Sequence, residues 1–117
     1  MCETESTDDL HRVLTAHVRR EFLADWVALV RGTEIVAADG DGVPDAAKLA
    51  VLEAGTAVSP LVADGVVGPE DLAVARLTTH DAAILVGRDG HVFRRRERAQ
   101  LMMLARVADR AWTLLDT

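Results

Sequence analysis

The chain contains one cysteine, three prolines and no tyrosine, and its aromatic side chains are Phe22, Trp26, Phe93 and Trp112. A single thiol, Cys2, excludes an internal disulfide framework and fits a reducing cytoplasm, the location expected here. With so few aromatics, alanine, valine and leucine must fill the core, which suits helices packed closely on a sheet. No apolar run approaches the ~20 residues that a membrane-spanning helix requires, so no membrane insertion is expected. The opening residues 3–9 are acidic, unlike a basic secretion leader. Basic residues are also short, 13 against 19 acids for a net charge of −6. The basic footprint of a nucleic-acid module is therefore lacking, and nucleic acid is not an expected partner.

What is present suffices for one domain. A chain of 117 residues, half of them apolar, can bury a core without metal or disulfide staples. Residues 1–7 are expected to form a disordered acidic N-terminus and residues 8–117 a single domain. The charge is unevenly spread: residues 34–71 hold eight acids against Lys48, and residues 72–117 hold eight arginines against five acids. Such asymmetry suits attraction between copies or to a charged partner, as well as a simple solvated surface.

Periodicity supplies the elements. Asp8 or Asp9 is suited to cap a first helix in which Leu10, Val13, Leu14, Val18 and Phe22 recur at helical spacing. His17 and Glu21 fall four residues apart within that apolar arc, while His11, Arg12, Thr15, Arg19 and Arg20 lie opposite. The pattern fails after Phe22. From Trp26 to Val30 every position is apolar, as in a strand covered on both faces, although a helix continuing to Arg31 is the competing reading. Gly32-Thr33 suits a two-residue hairpin turn, with residues 34–38 as the returning strand. Pro44 fits the first position of a second helix, where its missing N–H costs nothing. In that helix Ala46, Ala47, Ala50, Val51, Ala54, Ala57 and Val58 form a broad apolar arc expected to meet the sheet. Leu49 and Leu52 then fall on the far side, which predicts a second packing surface. Residues 72–79 and 82–88 read as strands, the latter buried on both faces. Asp89-Gly90 signals a hairpin into a last strand over residues 91–95. A final helix follows, with Leu101, Leu104, Ala105, Ala108, Ala111, Trp112 and Leu115 on one stripe.

Chemistry is sparse. The run DGDGVPD at residues 39–45 looks like part of a calcium loop. Aligning Gly42 with that loop's glycine puts Ala37 and Lys48 at two essential ligand positions, so a tight acidic turn is expected and no metal. None of His11, His17, His80 and His91 has a partner at metal-ligand spacing. His17 with Glu21 has the makings of a carboxylate-oriented base but lacks a companion nucleophile, since the only serines are Ser6 and Ser59. No phosphate loop exists, and neither a cofactor nor catalytic activity is expected. The one dense basic cluster is Arg94, Arg95, Arg96 and Arg98, placed where a helix N-terminus is already positive. It is a candidate partner-binding patch for an acidic surface, or else a solvated strand end.

In their order these elements resemble the roadblock family, the small domains of dynein light chains and bacterial gliding regulators. Three stretches carry the resemblance: WVALVRGTEIVAA at residues 26–38 with the following Asp39-Gly40, the small-residue helix of residues 46–59, and residues 72–94 with their Asp89-Gly90 turn. The resemblance implies a roadblock/profilin-like α+β fold of order α-ββ-α-βββ-α, with one five-stranded antiparallel sheet flanked by helices. It further implies a non-enzymatic homodimer joined through the middle helix and third strand. Bacterial members commonly bind or regulate a Ras-like small GTPase, so the expected role is a homodimeric adaptor for such a GTPase or a related signalling partner. On this chain Leu49, Leu52, Gly55 and Thr56 are the expected dimer-interface residues. The alternative is an accessory protein that binds a small ligand or an enzyme subunit. The charged Arg94 and the short first turn depart from the family pattern.

Overall fold

The computed structural model describes residues 3–50, 72–88 and 92–116. Helix α1 spans Glu3–Glu21, strand β1 Trp26–Arg31 and strand β2 Glu34–Gly40. Residues 46–50 are helical and are called α2. Strand β3 (Leu72–Leu77), a single 3-10 turn (Thr78–His80), strand β4 (Ala82–Gly87) and helix α3 (Arg95–Asp116) follow.

α1 begins earlier than expected. Residues 3–7 are helical rather than a disordered leader, so Asp8 and Asp9 lie inside the helix and not at its cap. Arg19 and Arg20 in the last turn favour the macrodipole. The helix ends in a Schellman motif: the Ala24 N–H reaches the Arg19 carbonyl at 2.9 Å and the Leu23 N–H the Arg20 carbonyl at 3.4 Å. Leu23 holds the left-handed position of that motif at φ 52° and is 81% exposed. A left-handed non-glycine residue costs about 1–2 kcal/mol, so Leu23→Gly is expected to stabilise the fold by about 1 kcal/mol. Urea unfolding measures it, and an unchanged or lower midpoint would contradict the motif.

This stop leaves residues 26–31 free to extend, which decides between strand and helix. β1 and β2 form the expected hairpin, with Arg31 opposite Glu34 and Gly32 at φ 64°. A bulge between Leu29 and Val30 lets β2 run on to Gly40. There the chain needs glycine. Gly40 has φ 99°, and a Cβ would run into the Asp25 carbonyl, which accepts the Asp41 N–H at 3.0 Å.

Four antiparallel strands form one sheet in the order β2-β1-β4-β3. The architecture is α+β, with four strands among the described residues where five were expected. The strand expected over residues 91–95 is not formed: residues 92–94 carry no strand and α3 already begins at Arg95. The reason is edge occupancy. β4 pairs with β1 on one side and β3 on the other, so a hairpin partner has no ladder to join. Phe93 turns inward instead, its ring 6.5 Å from that of Phe22. The Asp89-Gly90 turn lies outside the described residues.

Both sheet faces are covered, as the patterning of β4 predicts. Val27, Leu29, Ile84 and Val86 face α1 and α3, where Val18, Phe22, Leu101, Ala105 and Trp112 complete the larger core. Ala28, Val30, Val74, Ala83 and Leu85 face the other way, against Leu49. α2 is capped by Asp45, whose Oδ1 accepts the Lys48 N–H at 2.9 Å, so Pro44 precedes the cap rather than opening the helix.

Leu49 corrects the interface expectation. It is fully buried against the sheet of its own chain, and Ala47 is exposed. Burial is worth about 0.8 kcal/mol per methylene, so the leucine takes the sheet side and an alanine is left outside. Leu52, Gly55 and Thr56 lie outside the described residues.

Candidate functional site

The face that α1 buries is shifted from the one its apolar residues suggest, with Leu10 and Leu14 half-buried against the core. His11, Thr15, Val18 and Phe22 are buried, while Val13 is 63% exposed. Thr15 is cheap to bury because its hydroxyl donates back to the carbonyls of His11 at 3.1 Å and Arg12 at 3.0 Å. His11 thereby meets Trp112 of α3, with ring centroids 4.2 Å apart and planes at 73°. His80, from the turn after β3, stacks parallel on the same indole at 4.0 Å. The Arg31 guanidinium at the end of β1 lies 5.5 Å from the indole centroid.

His80 is clamped. Its Nδ1 lies 2.8 Å from Asp109 Oδ1, and Asp109 Oδ2 accepts the Thr79 N–H at 3.1 Å. Burial alone would raise the Asp109 carboxyl, but the hydrogen bonds from His80 and Thr79 together hold it below the usual range. A carboxylate-oriented imidazole is the geometry a general base uses. Here, however, Nε2 faces another carboxylate, Asp116 Oδ2, at 3.7 Å, and the ring is buried. The arrangement pins the β3–β4 connection to α3.

His11 has no such support. Both of its ring nitrogens are buried without a hydrogen-bond partner. It lines a cavity of about 300 Å³ together with Thr7, Asp8, Arg31, Val36, Trp112 and Asp116. Burial pushes the His11 pKa down; Asp8 and Asp116 pull it up, and His80 and Arg31 push it further down. The sign for stability follows. The unfolded chain binds the His11 proton more readily, so this contribution is complete above about pH 6.5 and is lost as pH falls toward the lower folded value. His11→Phe is expected to flatten the dependence of melting temperature on pH between about 5 and 7. Parallel slopes in both proteins would show that His11 binds its proton as readily in the folded chain as in the unfolded one.

Of the residues singled out by sequence, His17 and Glu21 are both exposed, and Glu21 instead accepts a hydrogen bond from Gln100 Nε2 at 3.3 Å. The two residues that fall in the apolar arc of the sequence thus face solvent, and Glu21 links α1 to α3. In the acidic turn, Asp39 pairs with Arg19 at 3.5 Å and Asp45 caps α2. Among the described residues no group of three His, Cys, Asp or Glu side chains is placed to hold a metal ion. No helix among them is long and apolar enough to cross a membrane.

The arginine cluster divides. Arg94, Arg95 and Arg96 are exposed, but Arg98 is buried, with its guanidinium 5.9 Å from the Phe93 ring centroid. Burial pushes the Arg98 pKa down. Arg98 therefore belongs to the core rather than to the partner patch. The helix end that looked electrostatically unfavourable is compensated by Glu97, whose Oε1 accepts the Arg94 N–H at 3.1 Å. Further along α3, Met103, Val107 and Leu114 are each more than 60% exposed and share one face with Arg96, Arg106 and Arg110.

The cluster of His11, His80 and Trp112 was missed by sequence reasoning. Its members come from α1, the β3–β4 turn and α3, with no local spacing to link them. The one usable signal was that His11 shares a helical stripe with Thr15, Val18 and Phe22. Comparison of the chain with protein-family models, with curated proteins and with solved structures yields no match.

Proposed function

We propose that the chain is a non-enzymatic homodimeric adaptor that binds a Ras-like small GTPase or a related signalling partner. The observation that carries the reading is the outer face of α3. Its three apolar side chains, ringed by Arg96, Arg106 and Arg110, suit an acidic, partly apolar protein surface.

Light scattering after size exclusion at micromolar concentration is expected to give twice the chain mass. A monomer at every concentration would overturn the homodimeric part. With a purified Ras-like GTPase, the pair Arg95→Ala and Arg96→Ala is expected to weaken binding about tenfold at low salt and less at high salt, where exposed charges are screened. Equal affinities at low salt would return those arginines to the solvent. Steady GTP hydrolysis by the chain alone would overturn the non-enzymatic part.

A further inference from the structure

Two lines of side chains run along α3 at the same helical spacing. Leu101, Ala105, Ala108 and Trp112 form the first, buried in the chain's own core. Arg96, Gln100, Met103, Val107, Arg110 and Leu114 form the second, on the outer side, and all six are exposed. A helix packed on a single core needs one such line. One exposed apolar side chain needs no explanation, but Met103, Val107 and Leu114 fall in one row, each more than 60% exposed. Alternating steps of four and three residues make the seam into which the side chains of a second helix fit. We infer that the outer face of α3 receives an acidic amphipathic helix of a partner protein, packed lengthwise along this seam. The inference rests on the assignment of this face to a protein partner, and not on that partner's being a GTPase.

The charges choose the occupant. Arg96 and Arg110 stand in the seam and Arg106 beside it, and among the described residues none of the three is in an ion pair. The acids of α3 are engaged elsewhere: Glu97 accepts from Arg88, Asp109 holds His80, and Asp116 faces Thr7 and His80. The outer face thus presents guanidinium groups with no carboxylate of its own helix to meet them. A partner carboxylate opposite a seam arginine gains a two-pronged, charge-assisted hydrogen bond. A second copy fits less well, because two such faces would press like charges together. An anionic bilayer also fits less well. Met103, Val107 and Leu114 span only roughly 40° of the helix at about 100° per residue, and Arg96 and Arg110 fall within or beside that arc. A helix lying in a membrane surface needs a broader apolar face, with its charges on the opposite one.

The probe is a labelled three-heptad peptide with leucine along its seam and glutamates two heptads apart, the separation of Arg96 and Arg110. The seam glutamates also keep the peptide from pairing with itself. A version with lysine for glutamate and a scrambled peptide of equal composition are the controls. The scrambled control is strict, because a chain of net charge −6 repels acidic peptides in general. Fluorescence anisotropy is expected to show saturable binding of the glutamate peptide below about 100 µM, the weak range of a small interface. Both controls should bind at least about tenfold more weakly. Val107→Glu should weaken the glutamate peptide by at least about tenfold, and Arg110→Glu should make the lysine peptide the tighter of the two. Both positions are exposed, so circular dichroism and melting temperature should stay as in wild type. A reversed charge preference is also a result that misfolding cannot produce. No saturable binding, or equal binding of either control, would overturn the inference. So would phosphatidylserine–phosphatidylcholine vesicles that bind wild type but not Val107→Glu, which would assign the face to a membrane. A halved mass of Val107→Glu in light scattering would assign it to a second copy, with the same consequence. Peptide binding without binding of a Ras-like GTPase would uphold this inference and remove the GTPase from the proposed function. A bound GTPase without peptide binding would do the reverse.

Discussion

Trp112→Ala is expected to destabilise the fold by about 3–5 kcal/mol, the range for truncating a buried tryptophan. The side chain is 4% exposed, and three separate elements rest on it: His80 from the β3–β4 turn, His11 from α1 and Arg31 from β1. Truncation removes the shared contact and widens a space already adjoining a cavity of about 300 Å³. Collapse around the hole is hindered, since His80 is held by Asp109 and cannot follow. Against a total stability of about 5–15 kcal/mol for such a domain, the variant is left marginal. Trp112→Phe keeps an aromatic face and should lose less than half as much. Urea unfolding at pH 7 decides it. A loss below about 1.5 kcal/mol, the size of an exposed or readily repacked site, would contradict the central place given to this indole.

Arg88→Met is expected to cost about 3–5 kcal/mol, because it breaks a largely buried ion pair and leaves the other partner uncompensated. The two side chains are 11% and 27% exposed. Arg88 Nη1 donates to Glu97 Oε2 at 2.7 Å and to the Phe22 carbonyl at 2.8 Å, and Nη2 donates to Glu97 Oε1 at 2.9 Å and the Val92 carbonyl at 2.6 Å. One guanidinium thus ties the end of α1, the segment after β4 and the start of α3, with the Phe93 ring 4.2 Å away. Losing it leaves a carboxylate and two carbonyls short of donors. The double variant Arg88→Met, Glu97→Met should be less damaging than the sum of the single changes, since it removes both charges. Additive losses would show that the pair is not coupled.

The same contacts set the acid limb of stability. The hydrogen bond from Arg88 does most to hold the Glu97 carboxyl below its ordinary value, against the opposing effect of burial. Asp109 is also depressed. For depressed carboxylates the stabilisation is complete above the unfolded pKa of about 4 and disappears as pH falls through the lower folded values. Glu97→Gln should therefore unfold over a shallower acid transition than wild type.

The amino-acid sequence by itself determined the elements whose signals are local. Glycine and its neighbour at residues 32–33 fix the first hairpin. The failure of helical spacing after Phe22 ends α1, and the unbroken apolar runs of β1 and β4 require cover on both faces. These depend on periodicity and turn chemistry within a few residues. Tertiary structure decided everything that rests on competition between surfaces. It turned α1 so that His11 and Thr15 entered the core in place of Val13, since a hydroxyl that bonds its own helix is cheap to bury. It turned Leu49 onto the sheet, because the larger apolar side chain gains more there. It gave both edges of β4 to β1 and β3, which left the expected fifth strand without a ladder and sent Phe93 inward. It separated Arg98 from its three neighbours, because helical geometry points one of four adjacent arginines at the core. The cavity beside His11 was the least legible feature, since Asp8, Arg31 and Trp112 meet only after the sheet and both long helices have packed.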